Sequence, residues 1–216
     1  EIITNGVLIN EHIDTIRNYV DVLYVSLDGT REVHNNIRGA GVFERVTQNL
    51  RELKHKNVTV MSVITPELIN VLDEFLTELD TLNINRLYLQ DMIGLTPDEI
   101  KAYKEWLKSA FDITARDIDS WQNDNLFKAD NIVFGNHSYE IEHKTHTNDG
   151  HCRSPFNHVH IAWNGNVLYC TDFYDFSAGN VKEDTLEDIF LNEKSERYRI
   201  EIMGDKCPSC RHCSWR

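Results

Sequence analysis

The sequence predicts an α/β fold, part of a (β/α) barrel or an open parallel sheet, followed by a small domain built on a β-hairpin. Three observations carry this expectation. Short apolar runs alternate with segments of helical period over the first hundred residues. An Asn164-Gly165 dipeptide separates two strand-like runs. All five cysteines fall after residue 151.

In chain order, residues 2–5 read as a strand and 10–19 as a short helix. Val22-Leu23-Tyr24-Val25-Ser26-Leu27 is nearly all apolar, as a strand buried on both faces should be. It ends at Asp28-Gly29, a turn signal, and a polar stretch follows over residues 30–41. Val42, Phe43, Val46, Leu50 and Leu53 recur at helical spacing and predict a helix over 42–56. Val58 to Ile64 is a third strand, residues 67–81 a helix, and Asn85 to Gln90 a fourth strand. Strands separated by helices of this length form βα units and a parallel sheet. Thr96-Pro97-Asp98-Glu99 opens a further helix, with Thr as N-cap and acids at the positive end. Residues 112–150 are polar and read as a linker with one or two short elements. His158 to Trp163 and Val167 to Tyr169 form the hairpin strands, and residues 185–202 read as two short helices. The domains expected are therefore 1–111, a linker 112–150, and 151–216.

Composition narrows the function. With 41% apolar and 26% charged residues the chain is globular. A net charge of −13 argues against nucleic acid or an anionic membrane as partner. No apolar run approaches the ~18 residues a membrane span needs. No signal peptide precedes Glu1, so the expectation is a cytoplasmic protein. A chain that opens inside a strand reads as part of a longer one.

The cysteines carry the chemistry. An odd number without a secretory signal fits a disulfide framework poorly. Cys152 and Cys170 flank the hairpin, whose ends converge, while Cys207 and Cys210 sit two residues apart on a turn. Four thiolates suffice for tetrahedral zinc or for a [4Fe–4S] cluster, and spacing alone leaves both open. Cys213 is a fifth candidate ligand, and either Cys210 or Cys213 completes the set. His143, His146, His151 and His212 are further donors, although a solvated linker accounts for the first three.

Asn5-Gly6 after an apolar strand, then Ser26-Leu27-Asp28-Gly29, His34, and Arg38-Gly39 with Gly41-Val42-Phe43, resemble the middle of radical S-adenosylmethionine enzymes. The branch is the one with a C-terminal SPASM or twitch domain, which includes peptide-modifying maturases and anaerobic sulfatase-maturating enzymes. Cys152-x12-Gly165-x4-Cys170, with Gly179-Asn180-Val181 beyond it, is similar to the signature of that domain. The family's Cys-x3-Cys-x2-Cys motif, which holds the cofactor-cleaving cluster upstream of the Asn-Gly strand, is absent. The cysteine run at the C-terminus is also shorter than in full SPASM domains.

The resemblance implies a radical S-adenosylmethionine barrel with one auxiliary [4Fe–4S] cluster, a second such cluster belonging to the full-length parent. It implies a cofactor site at the strand ends formed by Thr4, Asn5, Ser26, Asp28, Arg38 and Gln90. Asp172, two residues after Cys170, corresponds to the acid proposed as base in sulfatase-maturating relatives, with the offset changed by one residue. The reaction implied is hydrogen-atom abstraction from a peptide, protein or small-molecule substrate, supplied by an electron donor, with this chain alone inactive. A non-catalytic iron–sulfur or zinc module, or a homologue that has lost its radical site, are the alternatives.

Overall fold

The computed structural model describes residues 1–92, 94–123, 127, 129, 132–144, 152–172 and 174–212. They fall into two units, one of Glu1–Met92 with Phe127–Thr145, the other of Ile93–Leu126 with His146–Arg216.

The first unit is a five-stranded sheet, β1 (Ile2–Thr4), β2 (Leu23–Ser26), β3 (Val58–Ile64), β4 (Arg86–Asp91) and β5 (Glu140–Lys144), in sequence order. Every neighbouring pair is parallel, as the alternation of strands and helices predicts. The helices are α1 (Ile13–Tyr19), α2 (Arg31–Arg38), α3 (Val42–Leu53), α4 (Pro66–Asn70) and α5 (Leu72–Leu79). One core holds Leu23, Val25, Val58, Val60, Leu87 and Leu89 from the strands with Phe43, Val46, Leu50 and Phe75 from the helices. Successive strand residues alternate between faces, so the opposite face carries a row of Ser26, Met61, Tyr88 and Glu142 in register. β1 pairs with β2 alone among the described strands and forms an edge, with Ile3 70% exposed.

Several elements of this unit differ from the sequence reading. The polar stretch after Asp28 contains α2, whose buried His34 lies within a mostly polar octet. The helix expected over 67–81 is two helices that meet at Val71. The one expected to reach residue 56 stops at Leu53, because Lys54 turns left-handed at φ 47°.

The entry to the first helix depends on Gly6, at φ +79°. A Cβ there would meet Cγ1 of Val25 and of Val46, each at 2.9 Å. Gly41 has almost the same φ, +78°, with no atom within 4 Å of its would-be Cβ. Gly41→Ala is expected to cost only the left-handed backbone penalty, ~1 kcal/mol. Gly6→Ala adds overpacking to it and should cost roughly 3 kcal/mol. Paired urea titrations check this; equal losses would mean that the Val25–Val46 contact yields freely.

The second unit opens with α6 (Pro97–Phe111), whose Thr96 and Glu99 form a reciprocal capping box. The apolar face of α6 packs with Tyr169, Phe176 and Tyr198, so this helix shares a core with the C-terminal residues. α7 (Ser154–Asn157) leads to a three-stranded antiparallel sheet, β6 (His160–Ile161), β7 (Asn166–Leu168) and β8 (Gly179–Asn180). The hairpin at 158–170 is present, with a third strand beyond it. α8 (Leu186–Leu191) and α9 (Glu193–Met203) complete the unit.

Candidate cysteine centre and strand-end site

In the second unit the Asn164-Gly165 turn is locked from both sides. Gly165 takes φ +94°, and the Asn180 side chain donates to the Asn164 carbonyl (3.2 Å) and to Asn166 Oδ1 (3.0 Å). The hairpin delivers the chain to Tyr169 and Cys170. The Ser154 hydroxyl, two residues after Cys152, donates to the Tyr169 carbonyl at 2.8 Å, which stitches the two cysteine-bearing segments together. Tyr169 in turn donates to Ser195 Oγ (2.8 Å), and Ser195 to the Ile189 carbonyl (2.6 Å), anchoring the hairpin on α8 and α9. Cys207 and Cys210 lie at a 3₁₀ turn, Pro208–His212, packed against α6.

Cys207 is 3% exposed within the aromatic core, and Cys152, Cys170 and Cys210 pack around that core half-buried. Burial opposes ionisation of Cys207, but hydrogen bonds from Cys210 and Ser209 outweigh it and lower its pKa. Cys210 is raised by its hydrogen bond to Cys207, by burial, and by the negative potential of Cys207, Cys170 and Cys152. Cys152, Cys170 and Cys207 thus all bear on the charge state of Cys210. The Asp172 backbone N–H donates to Cys170 Sγ at 3.4 Å, a bond that favours a thiolate. An all-sulfur donor set of this kind, sheltered by aromatic side chains, fits an iron–sulfur group. Among the described residues no group of three or more His, Cys, Asp or Glu side chains is arranged to hold a single metal ion. Cys213, His146 and His151 lie outside the described residues.

Asp172 is half-buried, and burial raises its carboxyl pKa against the opposing effects of Thr171 and His160. Asp175 is a feature that sequence reading did not single out. Its carboxylate accepts from the backbone N–H groups of Arg116, Asp117 and Ile118 at 2.6, 2.9 and 2.9 Å. This ties the loop after Cys170 to the 3₁₀ turn Asp117–Trp121.

In the first unit the strand-end residues divide into three groups. Thr4 Oγ1 accepts from the Gly6 N–H and Asn5 Oδ1 from the Val7 N–H, both at 3.1 Å, so both side chains shape the turn they sit on. Asp28, 3% exposed, is held by Arg38 Nε at 2.5 Å and by the Val63 N–H at 3.1 Å. The Arg38 charge is therefore already matched within the chain. Ser26 and Gln90 lie on the sheet face turned away from the core, at the C-terminal ends of β2 and β4.

Two histidines add to this edge, one of them buried. His34 is wholly buried, its Nδ1 accepting the Asp28 backbone N–H at 3.0 Å. Burial lowers its pKa, and its Nε2 meets no hydrogen-bond partner among the described residues. His143, read from sequence as part of a linker, stands on β5 with Nε2 3.2 Å from Asp91, a buried carboxylate at the end of β4. A single apolar residue in Glu140–Lys144 hid that strand; Asn49, which donates to the Gly6 and Val7 carbonyls, was equally silent in the sequence.

Residues 152–214 match the SPASM family, described as an iron–sulfur cluster-binding domain. Part of the chain is 42% identical over 95 residues to the mycofactocin maturase MftC of Mycobacterium tuberculosis, covering 39% of this chain and 24% of that protein. The fold is shared with SuiB of Streptococcus suis, solved bound to S-adenosylmethionine, with a TM-score of 0.61 at 14% identity. That match covers 99% of this chain and 54% of SuiB, so the chain spans about half the length of the solved relative. SuiB solved with its precursor peptide SuiA matches with a TM-score of 0.54, at 14% identity and over 99% and 53% of the two chains. The described residues contain no helix long and apolar enough to cross a membrane.

Proposed function

We propose that this chain, which matches the SPASM iron–sulfur family over residues 152–214 and resembles SPASM-containing radical S-adenosylmethionine maturases, is a portion of such an enzyme, acting on a peptide or protein side chain. One observation carries the reading: Cys207 lies in, and Cys152, Cys170 and Cys210 pack against, a single hydrophobic cluster inside the family-matched segment. Cys152, Cys170, Cys207 and Cys210 would hold one auxiliary [4Fe–4S] cluster. When bound to a cluster of its own, S-adenosylmethionine supplies radical hydrogen-atom abstraction, with the electron drawn from a reduced donor.

The residues of this chain position and shield. Ser26 and Gln90, on the sheet face away from the core, offer hydrogen bonds to the cofactor's hydroxyl and amino groups. The Asp28–Arg38 pair holds the β2 strand end in place beside the cofactor site. Thr4 and Asn5 fix the neighbouring turn. Asp172, its carboxyl pKa raised by burial, serves as proton acceptor toward substrate. The chain has no cysteine before Cys152, so these 216 residues do not themselves supply a Cys-x3-Cys-x2-Cys motif.

Anaerobic reconstitution tests the reading. The chain should take up iron and sulfide in equal amounts and gain a broad visible absorption that bleaches on reduction. It should form no 5′-deoxyadenosine. In a protein that also carries the missing motif, Cys170→Ala should impair product formation more than cofactor cleavage. Colourless protein containing zinc, or 5′-deoxyadenosine at catalytic levels from these 216 residues, would refute the assignment.

A further inference from the structure

A cleft of about 940 Å³ lies between the start of α2 and the α4–α5 pair of the first unit. Val33, Ile37 and Val71 supply its apolar lining, and Ile37 is 53% exposed. Glu32, Glu67, Glu74 and Glu78 line it as well. None of these four carboxylates forms an ion pair among the described residues. The one cation of the cleft, Arg31, is engaged by Glu44 at 3.1 Å. Burial pushes the Glu78 carboxyl up, opposed by Arg51 and Arg31 and assisted by Glu74 and Glu44. Three of the acids sit in first helical turns, where they favour the helix, but that role does not account for Glu78 or for the apolar lining between them.

Position adds to composition. α2 follows β2 and α4 follows β3, so the first turns of both helices stand at the C-terminal edge of the parallel sheet, the edge that carries Ser26. Parallel α/β folds place their ligands at this edge. An apolar strip flanked by unmatched carboxylates complements a cationic amphipathic segment. It does not suit nucleic acid, which the same charges repel.

We propose that this cleft receives a cationic segment of the substrate peptide, lysine or arginine residues with an apolar side chain between them, while the reacting residue lies at the strand ends. The proposal rests on the peptide-substrate reading given above. The lysine or arginine groups would match Glu32, Glu67, Glu74 and Glu78, and the apolar side chain would cover Ile37.

Fluorescence anisotropy tests it on the chain as it stands, without iron or cofactor. The probes are two labelled twelve-residue peptides with leucine at helical spacing, one filled with lysine and the other with glutamate. The lysine probe should bind and weaken with added salt, and the glutamate probe should not bind. The triple substitution Glu67→Gln, Glu74→Gln, Glu78→Gln should weaken binding about tenfold, as loss of three modest charge contacts predicts. Ile37→Ser should weaken it several-fold. A control with the same change of net charge, Glu183→Gln, Asp184→Asn, Glu196→Gln, should leave it within about twofold. Equal weakening by the control, binding of both probes alike, or indifference to Ile37→Ser would overturn the proposal. A chain that loads iron but ignores the lysine probe sinks the cleft proposal alone. A chain that binds the probe yet takes up no iron sinks the functional reading alone.

Discussion

Cys207→Ser is expected to cut the iron bound after anaerobic reconstitution from about four atoms per chain to below one. The argument runs from the thiols' surroundings. Cys207 is the most deeply buried of the four described cysteines and the one whose ionisation its neighbours assist, through hydrogen bonds from Cys210 and Ser209. Thiolates are the ligating form, and a ligand this deeply buried is not readily replaced by water. Serine keeps the volume but offers an alcohol of far higher pKa. Cys170→Ser should act in the same direction but less completely, because Cys170 is only half-buried. Iron and sulfide assays on the two variants and the parent decide it. Full iron loading in Cys207→Ser would remove this residue from the ligand set.

Arg38→Ala is expected to destabilise the first unit by roughly 3 kcal/mol, because it strands a buried carboxylate. Among the described residues, Asp28 would keep only the Val63 N–H on its side-chain oxygens. The estimate sits at the low end of the range for broken buried pairs because the Arg38 side chain is itself partly exposed. Adding Asp28→Asn removes the stranded charge, and the double variant should recover about half of the loss. Denaturant titrations of both singles and the double form the cycle. A loss below about 0.5 kcal/mol for Arg38→Ala would place the pair with ordinary surface ion pairs.

The parallel strands β1 to β4 were legible because each is a short apolar run between helical patterns, and α6 because its cap residues declare it. Legibility failed where a buried position is polar. His34 and Asn49 are buried through hydrogen bonds to a backbone folded elsewhere in the chain, and no local pattern records such a partner. β5 offers Ile141 as its single apolar residue, with glutamates on the other face, and so lacked the run that marks a central strand. β8 is two residues, Gly179 and Asn180, too short for any periodicity. At the candidate site the cysteines announced themselves by type and spacing. The sequence could not show that Asp28 and Arg38 engage each other, nor that Thr4 and Asn5 spend their oxygens on a turn. Residue type names a capability, and only the fold says which neighbour uses it.

Two separate hydrophobic clusters, one around Phe43 and Phe75 and the other around Tyr103 and Tyr198, give heat two cores to melt rather than one. A group taken up by the cysteines stabilises only the core that contains them, by RT ln(1 + [L]/Kd) at free concentration [L]. Calorimetry of the iron-loaded and iron-free protein should therefore show one endotherm that shifts and one that stays. A single Tm would describe neither core.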